Sequence, residues 1–317
     1  MSGQRIHHLA HTVEVAASAG VVYALIADPE RWPLYLPGNV YAQRLDFDGV
    51  HERLRVWALA GDEVVSWTSQ RLQDITRRCI SFRQDLLREP ATSMAGRWQV
   101  TALAAGRCRL SVEHEFTTAG FREGARLEEL TAAGSRSALA GLRFLAERWH
   151  RLDQLALSFA ETIRVKGPAE LVYQVLYEAA DWPGRLAHVR GVALREPCAG
   201  IQQVTLEVAG ADGAGRHRES GLRICFPHAG RIVHKATVPR PLLSAHCGEW
   251  SVLPDEYGVT VVAQHHVILC EDTIEEVLGA GATLADARCR IRAQLGHESR
   301  QMLQLARRHA ESAIHVL

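Results

Sequence analysis

The chain has 317 residues, of which 47% are hydrophobic and 23% charged, so its length and composition predict a globular protein of two domains. Lys and Arg total 36, as do Asp and Glu, and this zero formal net charge disfavours a nucleic-acid binder, which needs a basic surface. The N-terminal stretch has no apolar signal core, and no run approaches the roughly 18 apolar residues of a membrane span. We therefore expect a cytoplasmic protein without membrane contact.

The first half of the chain predicts a strand, two short helices, six strands and a long helix. Ile6–Ala17 alternates apolar and polar residues as a half-buried strand does, and Ser18 is a favourable N-cap for a helix that Pro29 ends. Glu30–Leu36 predicts the second short helix, and apolar residues at steps of three or four predict the long helix over Phe121–Trp149. Short turns separate six strands that must therefore be antiparallel: Val40–Phe47, His51–Ala60, Glu63–Asp74, Arg78–Asp85, Ser93–Leu103 and Arg107–Thr117.

The second half repeats this order, with a first strand at Leu157–Val165, short helices over Pro168–Tyr177 and Trp182–His188, and a long helix over Thr283–Ala310. Landmark residues recur at offsets of 150 to 152 positions: Val22-Tyr23 as Val172-Tyr173, Trp32-Pro33 as Trp182-Pro183, Gly96 and Trp98 as Gly248 and Trp250, and His114 as His266. This period far exceeds the roughly 20–50 residues of a solenoid unit. It predicts two whole domains of one fold, over residues 1–151 and 152–317.

Each half has the element order of a helix-grip domain, in which a curved antiparallel sheet wraps round a long C-terminal helix and leaves a cavity between them. We therefore predict an α+β protein of two tandem helix-grip domains. The most informative candidates lie on the fourth strand, where alternation puts Trp67, Ser69 and Arg71 on one face. Either that face lines the cavity, or Arg71 lies at the rim and pairs with a carboxylate, because a buried guanidinium needs a polar partner.

Further aromatic and histidine side chains are candidates for the cavity wall. Trp32 and Tyr35 lie on the second short helix and Trp98 on the sixth strand, where each either lines the pocket or belongs to the core. His114 and His266 have polar neighbours on late strands, a pattern also typical of hydrogen-bonded structural histidines.

The sequence predicts neither a metal site nor a bound cofactor. The closest two of the seven cysteines, Cys270 and Cys289, are 19 positions apart, which excludes a Cys-x-x-Cys pair. Adjacent histidines such as His265-His266 point to opposite sides of a strand, and no set of histidines and carboxylates has metal-ligand spacing. Glycine-rich nucleotide loops and the Gly-x-Ser-x-Gly elbow do not occur.

The stretches Trp32-Pro-Leu-Tyr35-Leu-Pro and Trp67-Thr-Ser69-Gln-Arg71 resemble the aromatase/cyclases of bacterial type II polyketide synthases, members of the Bet v 1/START-like helix-grip superfamily. That family has a di-domain branch, so the resemblance covers the full length. It implies a cofactor-independent enzyme that works with an acyl carrier protein and other synthase components. Such an enzyme closes the first ring of a tethered poly-β-ketone by an aldol reaction and then drives dehydration. In di-domain members the ring closes between C7 and C12 of a C9-reduced chain.

The resemblance also implies roles for individual residues. Arg71 would stabilise the developing enolate or alkoxide, while Tyr35 and Ser69 would hydrogen-bond ketones and relay protons. The substrate-contacting candidates are Trp32, Trp67, Trp98 and His114. Orientation of one carbon against one carbonyl, an effect worth up to about 7–11 kcal/mol, would be the main catalytic contribution.

The second copy differs where these roles matter. Opposite Trp67, Ser69 and Arg71 we align Ser220, Leu222 and Ile224, or His217, Glu219 and Gly221, and neither register restores the set. We therefore expect the catalytic cavity in the first domain. The second domain would support the fold, dock a partner or act on a later step, with Arg216, Arg218 and His266 as its candidates.

Two other function classes stay open. A non-catalytic helix-grip carrier would have a cavity with no polar cluster deep inside, and a stress- or hormone-response module would bind a partner with the cavity empty. Catalysis by Arg71 predicts that Arg71→Ala folds normally but yields shunt polyketides, whereas unchanged products would favour the carrier.

Overall fold

The computed structural model describes residues 5–85, 91–209 and 216–313, and the chain divides into two compact units, Met1–Leu152 and Asp153–Leu317. Each unit has a seven-stranded antiparallel sheet, a short N-terminal helix and a long C-terminal helix. The predicted α+β class with two tandem helix-grip folds is confirmed. Within the described ranges, no helix is both long enough and apolar enough to cross a membrane.

The first unit follows the predicted element order closely, and its sheet has the strand order β1-β7-β6-β5-β4-β3-β2. Ser18 caps α1, because its Oγ accepts a 3.4 Å hydrogen bond from the backbone N–H of Val21. The elements are β1 Arg5–Val15, α1 Ala19–Ala27, α2 Trp32–Tyr35, β2 Asn39–Phe47, β3 His51–Ala60, β4 Glu63–Asp74, β5 Cys79–Gln84, β6 Ala91–Ala104, β7 Arg107–Thr118 and α3 Phe121–Ala146.

The second unit repeats this topology with the strand order β8-β14-β13-β12-β11-β10-β9. The short helix predicted over Trp182–His188 is wrong: these residues form turns, and Gly184 adopts a φ of 79°, which a right-handed helix excludes. The elements, with α4 at the boundary between the units, are α4 Leu152–Leu155, β8 Ala156–Val165, α5 Ala169–Tyr177, β9 Val189–Cys198, β10 Ile201–Ala209, β11 Arg216–Phe226, β12 Arg231–Val238, β13 Leu243–Asp255, β14 Gly258–Leu269, α6 Ile274–Leu278 and α7 Leu284–Ser312.

The core of the second unit lies between the concave face of its sheet and α7. A capping box between Thr283 and Asp286 fixes the start of that helix. Its buried stripe, which includes Ile291, Leu295 and Met302, packs on the sheet in two clusters, and this burial is the main stabilising contribution to the unit.

Strand pairing aligns the two copies more accurately than the sequence does. One row of directly paired residues crosses the first sheet in the order Glu52, Arg71, Phe82, Gly96 and His114. The equivalent row of the second sheet is Gln202, Arg223, His234, Gly248 and His265. Both sequence-based registers were therefore wrong: Arg71 does have a counterpart, Arg223, and the counterpart of His114 is His265 rather than His266.

The glycine in each row is required by a close approach. A Cβ on Gly248 would lie 2.1 Å from the carbonyl oxygen of Gln264 and 2.7 Å from the ring of His234. A Cβ on Gly96 would lie 2.3 Å from the ring of Phe82. Only glycine therefore lets an aromatic ring from the neighbouring strand lie across this point of the sheet.

We expect Gly248→Ala to lower the stability of the protein by about 1–3 kcal/mol, because the added methyl group overpacks this contact. Gly134→Ala is the matched control, since Gly134 lies in α3 with no atom within 4 Å of its added Cβ and should gain up to about 1 kcal/mol in helix propensity. Urea unfolding monitored by circular dichroism measures both. Equal unfolding midpoints for the two variants would contradict the prediction.

Candidate active site

A cavity of about 160 Å³ lies between the concave sheet face and α7 in the second unit. Its apolar wall includes Trp182, Leu206, Leu222, Trp250, Leu295 and Met302. Its polar wall includes Glu219, Arg223, His234, Arg240, His246, His265, Glu298 and Ser299. In the first unit, an open groove of about 420 Å³ borders Glu52, Arg71 and Phe82 together with charged surface residues. Of these two, the second-unit cavity is the one that combines an interior position with many ionisable groups.

Three histidines converge in this cavity because they lie on neighbouring strands β12, β13 and β14. The ring centroids of His234, His246 and His265 are 5.3 to 5.9 Å apart, and His246 Nε2 lies 3.0 Å from His265 Nδ1. His265 Nε2 lies 2.7 Å from Ser299 Oγ on α7. Burial lowers the pKa of His234 to about 4 and the pKa values of His246 and His265 well below 6.5, so all three are neutral near pH 7.

An arginine between two carboxylates forms the other polar part of the wall. Arg240 lies 2.8 Å from Glu219 and 2.9 Å from Glu298. Burial acts against its charge, but the two carboxylates raise the pKa of Arg240 above its ordinary value. Burial alone would raise the pKa of Glu219, yet a hydrogen bond with His217 and the charge of Arg240 hold it below its ordinary value. Arg240 and Glu219 are therefore charged.

Arg71 is an anchor between the sheet and the first helix. Its Nη2 donates a 2.8 Å hydrogen bond to the carbonyl of Ile26 in the last turn of α1, and its Nη1 lies 2.9 Å from Glu52 Oε2. The guanidinium lies 4.8 Å from the ring centre of Trp32, and only 3% of the side chain is exposed. Burial lowers the pKa of Arg71 to about 10, although Glu52 opposes the shift, so it remains charged.

Arg223 repeats this arrangement in the second unit. It donates to the carbonyl of Leu176 in the last turn of α5 and, over 2.7 Å, to Gln202, and it lies 5.1 Å from the ring centre of Trp182. The free carbonyls at a helix C-terminus carry partial negative charge, which suits a guanidinium. We call Arg71 and Arg223 the anchor arginines. Because the arrangement occurs twice, it is first a structural requirement of the fold.

The structure brings two of the remaining first-unit candidates, Trp32 and Trp67, into one cluster. Trp32 and Trp67 pack on the buried residues Ala42, Leu54 and Val56. Ser69 is buried and donates a 3.3 Å hydrogen bond to the carbonyl of Arg83. Tyr35 is buried, and its hydroxyl accepts a 3.5 Å hydrogen bond from Arg31. Trp98 is half-buried on β6, between its strand partners Ile80 and Val112.

His114 lies at the end of the row in the first sheet. Its Nε2 lies 3.1 Å from Ser135 Oγ on α3, as His265 lies next to Ser299 in the second unit. Its Nδ1 is buried and has no hydrogen-bond partner within the described ranges. Burial, and secondarily the charge of His11, lowers the pKa of His114 to about 4.

The second-unit candidates from the sequence do not line the cavity. Arg216 and Arg218 are exposed on β11, and Arg218 pairs with Glu207. His266 hydrogen-bonds Ser158 and points away from the face that carries His265. A role for these three residues in supporting the fold, docking a partner or acting on a later step stays a prediction. The alternation of β14 is the signal that could have identified His265, because the buried residues Val261, Ala263 and Val267 share its face.

The fold and the cavity together define a class of protein, a helix-grip protein with a polar cavity between sheet and helix. Comparisons with known proteins identify the family within this class. The family model "Polyketide cyclase / dehydrase and lipid transport" matches residues 7–148. The granaticin polyketide synthase bifunctional cyclase/dehydratase of Streptomyces violaceoruber is 36% identical over 97% of this chain and 95% of its own length. The actinorhodin counterpart of Streptomyces coelicolor is 37% identical over 99% of this chain and 98% of its own length.

Solved structures similar to this chain indicate the same family. The di-domain aromatase/cyclase BexL from the BE-7585A biosynthetic pathway is 35% identical, covers 96% of this chain and 99% of its own, and superposes with a TM-score of 0.86. The di-domain aromatase/cyclase StfQ from the steffimycin pathway is 28% identical, with the same coverage and a TM-score of 0.84. The chain belongs to the di-domain aromatase/cyclase family of type II polyketide synthases, the bifunctional cyclase/dehydratases. The sequence-based recognition is confirmed.

We expect Arg71→Met to destabilise the protein by about 3–5 kcal/mol, because it leaves the helix carbonyl and the buried Glu52 carboxylate without their common partner. This reverses the expectation that Arg71→Ala folds normally. Glu52→Gln is the matched variant, since it recreates the Arg223–Gln202 pair of the second unit and should cost less. Unfolding midpoints in urea compare the two. A wild-type midpoint for Arg71→Met would show that the anchor is dispensable.

We also expect the stability of the first unit to fall as the pH drops from 6.5 towards 4. The pKa of His114 is about 4 in the folded protein, so the unfolded chain binds more protons in this window. At about 1.36 kcal/mol per pKa unit, the loss reaches at most about 3 kcal/mol. Urea unfolding at a series of pH values should show this loss of stability in the wild type but not in His114→Gln. His8→Gln, at an exposed site, serves as control, and identical slopes for all three proteins would contradict the prediction.

Proposed function

We propose that the protein closes the first ring of a poly-β-ketone held on an acyl carrier protein and then dehydrates that ring to an aromatic one, in the cytoplasm and alongside other type II synthase components. The observation that carries the proposal is the cavity of the second unit, where apolar walls face neutral imidazoles and an arginine–carboxylate cluster. The carrier alternative expects no polar cluster inside its cavity, so this cavity favours the enzyme.

The chemistry fits such a cavity. A methylene group between two ketones is already acidic, so no strong base is required. The difficult step is to hold one carbon against one carbonyl among many, which apolar and aromatic walls do by shape. Dehydration then needs groups that stabilise charge on a departing oxygen, and charged groups are most effective where water is excluded.

We assign the two reactions to different units. The flat side chains Trp32 and Trp67, with Tyr35 beside them on α2, support ring closure in the first unit, where Arg71 and Ser69 act by fixing the wall. The second-unit cavity, with Arg240 between Glu219 and Glu298, supports dehydration. In agreement with the di-domain branch that the sequence resembles, we propose closure between C7 and C12 of a C9-reduced chain.

Reconstitution with a minimal synthase and a ketoreductase tests this assignment through the mass and ultraviolet spectrum of the products. We expect Trp67→Leu to yield shunt products with wrongly placed rings, because the wall no longer holds the chain. We expect Glu298→Gln to accumulate a correctly cyclised product one water heavier, because Arg240, the cation that would stabilise the departing oxygen, loses one of its two carboxylate partners. The aromatic product should fall at least about tenfold, which corresponds to about 1.4 kcal/mol.

The control is Arg218→Ala, an exposed site that should leave the products unchanged. Shunt products from both Trp67→Leu and Glu298→Gln would contradict the division between the units. Wild-type products from both would contradict the site as a whole. If the complete protein leaves the product mixture unchanged when it is added to the synthase, the proposed reaction is wrong.

A further inference from the structure

The three histidines of the second-unit cavity have the arrangement of a metal site. One ligand nitrogen from each of His234, His246 and His265 lies within 4.8 Å of the other two. The closest pair, His246 Nε2 and His265 Nδ1, is already 3.0 Å apart. Tetrahedral zinc with Zn–N bonds of about 2.0–2.1 Å places its ligand nitrogens about 3.3 Å apart. A shared ion therefore requires the ligand nitrogens to close from separations of up to 4.8 Å to about 3.3 Å.

The fold itself does not require two of these three imidazoles. The first unit has the same topology and carries Phe82 and Met94 at the positions of His234 and His246. In the second unit, His234 Nδ1 is buried without a hydrogen-bond partner within the described ranges. A buried polar atom without a partner is destabilising, and three imidazoles in contact also repel protons from one another. A ligand that accepts several lone pairs at once would offset this cost.

We propose that His234, His246 and His265 bind a divalent transition-metal ion of the zinc type inside the second-unit cavity. Three imidazoles form a known zinc ligand set that leaves the fourth position for water or substrate. Because all three side chains line the cavity, an ion held by them would lie at the wall of the space that a substrate would occupy.

A neighbouring serine orients one of the three ligands. With Nε2–H of His265 donating to Ser299 Oγ over 2.7 Å, Nδ1 keeps its lone pair towards His246, the orientation that a metal ligand needs.

Such an ion would act as a Lewis acid on a ketone or hydroxyl oxygen of the chain. This role rests on the proposed function, whereas metal binding itself does not. A protein that binds the ion but does not change polyketide products would refute the proposed function and leave the site intact.

The experiment uses the full chain without a histidine tag, stripped with a chelator and then equilibrated with Zn²⁺ or Co²⁺. Elemental analysis should give one ion per chain, and Co²⁺ should give the visible absorption of a tetrahedral site. The double variant His234→Phe/His246→Met, which installs the residues of the first unit, should bind none and retain the wild-type circular dichroism. Ser299→Ala should weaken binding about 10–100-fold, because the orienting partner of His265 is lost.

His266→Gln is the matched control, since His266 is adjacent in sequence but lies on the opposite face of β14, and it should bind as the wild type does. No stoichiometric ion in the wild type would overturn the proposal, whatever the variants do. Binding that survives the double variant would also overturn it, because the ion would then lie elsewhere.

Discussion

The anchor arginines are the constraint on which the rest of the architecture depends. A guanidinium buried between strand and helix needs compensation on every side. Arg71 finds it in the Ile26 carbonyl, the Glu52 carboxylate and the face of Trp32. Arg223 finds it in equivalent groups of the second unit, with an amide in place of the carboxylate. Because one partner is the end of a helix and another a neighbouring strand, the arginine fixes the helix against the sheet and so defines one end of each interior.

With the anchor shared, the two interiors differ at one position of the same row and at positions near it. Phe82 and Met94 of the first unit become His234 and His246, and Trp67 becomes Glu219, four residues before the anchor arginine in both copies. The histidine–serine contact between the last strand and the long helix is retained in both. One scaffold thus carries an aromatic wall in one copy and an ionisable wall in the other, which suits an enzyme with two consecutive reactions.

The sequence was sufficient for the fold because alternation, turns and the helical stripe are local signals, and the repeat doubled each of them. It failed where one residue of register matters. The connections between strands differ in length in the two copies. Along the row, the offset between equivalent residues therefore changes from 150 to 152 and then to 151 positions. A slip of one residue moves a side chain to the opposite face of a strand. That slip selected His266 instead of His265 and concealed Arg223. The histidine cluster was invisible for a related reason, since its members come from three strands and only pairing across the sheet brings them together.

Under the proposed assignment of one reaction to each unit, the distribution of ionisable groups between the units fits what each reaction would require. To bend a long chain into one of many possible rings, a wall must be rigid and complementary in shape, and charged groups would compete for every ketone along the chain. To expel an oxygen from a ring already formed, charge stabilisation must be strong, which requires ionisable groups held away from water. Such groups cost folding free energy unless they pair, and in the second unit they do pair: Arg240 with two carboxylates and His246 with His265. With one interior for each proposed reaction, the two requirements do not have to be met in the same place.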